Sequence, residues 1–64
     1  MLTANEYRAE AKACRELADR AAEIYVKAAL IELARDYDRA ARQAERREHH
    51  LRVFGGSENT RAVA

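Results

Sequence analysis

The chain has 64 residues, with 12 Lys and Arg against 11 Asp and Glu and a formal net charge of +1. That length holds one domain at most, and the near-even charge gives no whole-chain attraction to nucleic acid or to a membrane surface. One cysteine, Cys14, excludes an intrachain disulfide framework. The longest apolar run, "AALI" at 28–31, is far short of the ~18 residues a membrane span needs. No secretory segment is read, and the cytoplasm is the expected compartment.

Thr3 opens the first predicted helix. In "LTANEY" it stands at the N-cap with Glu6 three residues later, the pattern of a capping box, and Leu2 can pack on Tyr7 as a hydrophobic staple. Tyr7, Cys14, Leu17, Ala18, Ala21 and Tyr25 then recur at helical spacing. A second stripe of the same period follows: Leu30, Leu33, Ala34, Tyr37, Ala40, Ala41, Ala44 and Leu51, with Phe54 near its edge. No Gly or Pro interrupts residues 4–54, so helix propensity is high throughout. "FGGSENT" is the expected end of order, with Gly55 or Gly56 as a natural C′ residue and 55–64 as a flexible tail.

Between the stripes lies "EIYV", without a usual turn residue. On one straight helix the two stripes would centre about 140° apart and point to nearly opposite sides. A reversal removes that conflict. The expected architecture is all-α: helix over about 4–22, turn over about 23–26, helix over about 27–53, closing as one antiparallel hairpin domain over 1–54.

The patterns "EYRAEAKACRELADRA" and "KAALIELARDYDRAARQAERRE" resemble a group of short uncharacterised helical-hairpin proteins of rhizobia and related alphaproteobacteria. The likeness rests on Tyr7-Arg8, Cys14 to Ala18, Ala28 to Ala34, Tyr37 and Ala44-Glu45, and covers roughly residues 5–48. It implies a helical hairpin and no known activity. Relatives often carry Asp-Pro where this chain has Glu23-Ile24, so the obvious turn residues are missing here.

The two stripes carry the main functional expectation. Of the apolar residues, 15 are Ala, each of which buries little area. A core in a chain this short rarely yields more than ~3–5 kcal/mol, so self-association is expected, with a homodimeric four-helix bundle favoured. The interface or core would draw on Tyr7, Cys14, Leu17, Ala21, Ile24, Tyr25, Leu30, Leu33, Tyr37, Ala41, Ala44 and Leu51. The expected function is a non-catalytic structural or protein-interaction module. A small subunit or adaptor docked on another protein is a further alternative.

Arg35, Arg39, Arg42 and Arg46 form a row at i, i+4, i+7, i+11, roughly opposite the second stripe. A small dimeric nucleic-acid-binding regulator could use it on successive phosphates. The bland reading is a solvated face supported by pairs such as Asp38–Arg42 and Glu32–Arg35. Residues 27–53 net only +2, seven bases against five acids. His49 and His50, with Glu45 one turn before, could ligate a metal only weakly, since adjacent histidines diverge on a helix, and no metal or other cofactor is expected. Cys14 reads as a small buried hydrophobe. No nucleophile–base or acid–base pair is visible, so an enzyme is the least expected class.

Overall fold

Thr3 caps the first helix as its chemistry directs. The structure, a computed structural model, describes residues 2–63, with side chains over 2–53. Helix α1 is Ala4–Arg20 and helix α2 is Ile24–Val63, and the described residues contain no strand. The Thr3 hydroxyl accepts the Glu6 N–H at 3.2 Å, and the Glu6 carboxylate accepts the Thr3 N–H at 2.8 Å. Two donors that a helix start would otherwise leave open are thereby satisfied.

The chain reverses over 21–23, earlier than the sequence suggests. Ala21 leaves the helical region with φ −68° and ψ 130°, while its N–H still bonds the Ala18 carbonyl at 3.2 Å. The Glu23 carbonyl then accepts the Lys27 N–H at 3.0 Å and starts α2. Ile24, Tyr25 and Val26, expected in the turn, instead form the first turn of α2. Their low helix propensity costs at most ~0.7 kcal/mol each relative to Ala, which a helix of this length absorbs. The helical bounds of α2 also pass Gly55 and Gly56, so neither glycine ends it. Glycine lowers helix stability by about 1 kcal/mol per residue but does not forbid the conformation. The side chains of the expected tail lie outside the described residues.

The helices run antiparallel. Cross-helix partners Ala4–Glu48, Arg8–Glu45 and Arg15–Asp38 have residue numbers that sum to 52 or 53, as antiparallel pairing requires. Helix α2 has 40 residues against 17 in α1, which accounts for a length of 59 Å on a cross-section of 14 × 13 Å.

The seam between them is a strict heptad. On α1, every residue that is not exposed falls on Ala4, Tyr7, Ala11, Cys14, Ala18 and Ala21, at alternating spacings of three and four. On α2 the same alternation runs Lys27, Leu30, Ala34, Tyr37, Ala41, Ala44 and Glu48, with Asp38 and Ala40 partly covered beside it. That is the a/d pattern of two coiled helices. Its fully buried members are all Ala except Cys14. Small side chains at these positions let the backbones approach closely. Tyr7 and Tyr37 meet in the seam, with ring centroids 6.3 Å apart and planes tilted by 37°, a favourable aromatic separation.

Candidate interaction surfaces

A heptad seam has two flanks, and here they differ in chemistry. The residues that follow the d positions are Arg8 and Arg15 on α1, and Ile31, Asp38 and Glu45 on α2. Arg8 meets Glu45 at 2.5 Å, and Arg15 pairs with Asp38. Charge closes this flank at Arg8–Glu45 and Arg15–Asp38, while Ile31 stays 37% exposed. The hydrogen bond from Arg8 holds the Glu45 carboxyl below its ordinary value and raises the Arg8 guanidinium.

The opposite flank carries the residues that precede the a positions. These are the capping Thr3, Glu10 and Leu17 on α1 with Val26, Leu33, Ala40 and Arg47 on α2, so the apolar part of this flank is the half nearer the reversal. Leu17 is 51% exposed and Leu33 42%, although each is the immediate neighbour of a buried alanine, Ala18 and Ala34. Val26 is exposed as well, and Ile24 and Tyr25 stand open at 70% and 82% beside the reversal. The fully buried residues of the hairpin are therefore all small, and Leu17, Leu33, Val26, Ile24 and Tyr25 are left exposed.

No protein-family model, curated protein or solved structure matches the chain. The surfaces are accordingly read from their own residues. Of the side chains expected at an interface or core, Cys14, Ala41 and Ala44 are buried within the hairpin, and Tyr7, Ala21, Leu30 and Tyr37 are half-buried. Leu17, Ile24, Tyr25, Leu33 and Leu51 are exposed. Ala4 and Ala11, which the apolar stripes omit, are core. Their signal is the seven-residue spacing Ala4–Ala11–Ala18, not hydrophobicity.

The four arginines at 35, 39, 42 and 46 are all exposed. Arg39 pairs with Asp36, whereas Arg35, Arg42 and Arg46 form no ion pair among the described residues. Asp38, expected to support Arg42, is taken across the seam by Arg15. The physical reason is position: Asp38 flanks the seam and Arg42 does not.

Arg42, Glu45, Arg46, His49 and His50 line one shallow groove on α2, of about 570 Å³. Glu45 is its acid and is engaged by Arg8. Among the described residues no three His, Cys, Asp or Glu side chains converge as a metal site would require. No helix of the described residues is long and apolar enough to cross a membrane.

Proposed function

We propose that the protein is a non-catalytic interaction module that pairs with a second copy, giving a homodimeric four-helix bundle. The observation behind this reading is the inverted distribution of its apolar residues. The seam is buried through alanines and Cys14 of one chain, and Leu17, Val26, Leu33 and Tyr25 remain exposed. The exposed parts of these four amount to about 400–500 Å² per copy. With Ala13, Ala29 and a polar rim added, two copies approach the ~1,200 Å² at which specific interfaces begin.

A two-fold contact sets the same patch against itself, so the patch must not carry one charge sign. Residues 17–33 hold Asp19, Glu23 and Glu32 with Arg20 and Lys27, a mixture that meets this condition. The charged flank, with Arg8–Glu45 and Arg15–Asp38 already paired, offers less apolar area. A lone buried thiol at Cys14 suits a reducing compartment, and we read the cytoplasm as the site of action.

Light scattering on Leu33→Glu tests the reading. The wild-type mass is expected to be that of a dimer and the variant's that of a monomer, with helix content by circular dichroism retained. A wild-type dimer unaffected by Leu33→Glu and by Leu17→Glu would overturn it.

A further inference from the structure

The sequence of α2 from residue 35 to 53 carries six arginines against four acids, and the fold sorts these signs. Its acids are Asp36, Asp38, Glu45 and Glu48. Three of these turn toward α1: Asp38 to Arg15, Glu45 to Arg8, and Glu48 to the Ala4 N–H at 2.8 Å. The last contact places a carboxylate on the open N-terminus of α1, where the helix dipole also favours it. The outward face that remains carries Arg35, Arg39, Arg42 and Arg46 with Asp36 on it, and Glu45, engaged by Arg8, lies at its edge beside Arg42 and Arg46.

We propose that this outward face of α2 binds the phosphodiester backbone of duplex nucleic acid without reading its sequence. Three observations select that partner. Arg35 to Arg46 is a span of about 16 Å along the helix, comparable to the axial rise of about five base pairs at ~3.4 Å each. Arg35, Arg42 and Arg46 form no ion pair among the described residues, and arginine's planar fork suits phosphate oxygens. Between Arg35 and His50 the outward face has no large apolar or aromatic side chain, since Tyr37 belongs to the seam. It therefore lacks a stacking platform for single strands. It also lacks an apolar side to enter a bilayer, because the opposite side of this helix is spent on α1.

The binding does not depend on self-association, since the arginine row and the Leu17–Leu33 flank occupy different faces. The test is fluorescence anisotropy with a labelled 24-base-pair duplex of random sequence at 50 and 200 mM salt. Wild type is expected to bind at 50 mM, with a log–log salt slope of about −3 to −4 for four contacts. Arg42→Ala/Arg46→Ala should weaken binding at least tenfold and reduce the slope by about 2. Lys12→Ala/Arg20→Ala removes the same charge from α1 and should change affinity less than twofold. Absence of binding at 50 mM salt would overturn the proposal. So would equal weakening by the two double variants, or equal Arg42/Arg46-dependent uptake by phosphatidylserine vesicles.

Discussion

Ala11 and Ala34 belong to one buried cluster with Cys14, at 1% and 0% exposure. Close approach of the two backbones is the feature on which the rest of the hairpin depends. Ala34→Leu is expected to destabilise the fold by about 1–3 kcal/mol through overpacking, although it adds apolar surface. Urea midpoints of the variant and the parent measure this at equal protein concentration.

The start of α1 rests on Thr3. Thr3→Ala removes the hydroxyl that accepts the Glu6 N–H and is expected to cost about 0.5–2 kcal/mol. Thr3→Ser keeps the acceptor and should restore most of the loss. Thermal denaturation followed at 222 nm checks both.

Acid should weaken the fold in a defined direction. Glu6 is held below its ordinary value of 4.5 by the Thr3 backbone N–H, and Glu45 by the hydrogen bond from Arg8. A depressed carboxylate contributes its stabilisation above the unfolded-state value and loses it as pH falls through the folded-state value. Stability should therefore hold from pH 7 to about 5 and decline below about 4.5 as these groups take up protons. Glu6→Gln/Glu45→Gln should be less stable at pH 7 and show a shallower acid decline. Denaturant midpoints at pH 7 and pH 3 provide the comparison.

Cys14 lies in the seam at 7% exposure. Its thiol should react with an aromatic disulfide reagent only as fast as the hairpin opens. The rate should be slow in buffer and rise to that of a model thiol in denaturant. A fast reaction under native conditions would contradict the burial.

The hairpin itself was legible from the phase of its stripes, because a reversal is the simplest way to bring two misaligned faces together. The reversal lies a few residues earlier than the residue pattern implies. Ile24, Tyr25 and Val26 look unlike helix by propensity, yet the backbone break is at Ala21, whose side chain gives no such signal. The seam was harder to see. Hydrophobic periodicity weights large residues, so Leu17 and Leu33 read as core while Ala4 and Ala11 passed unnoticed. Many alanines in this chain are exposed, and only the heptad spacing marks the buried ones. The destination of Asp38 and Glu45 was not legible either, because cross-helix pairing depends on the register of two segments and not on spacing within one.

Sedimentation equilibrium of the wild-type protein at micromolar to hundred-micromolar concentrations tests the central claim most directly. The exposed Leu17–Val26–Leu33 flank predicts a folded species of twice the chain mass of 7.3 kDa. A folded monomer that persists over the whole concentration range would contradict it.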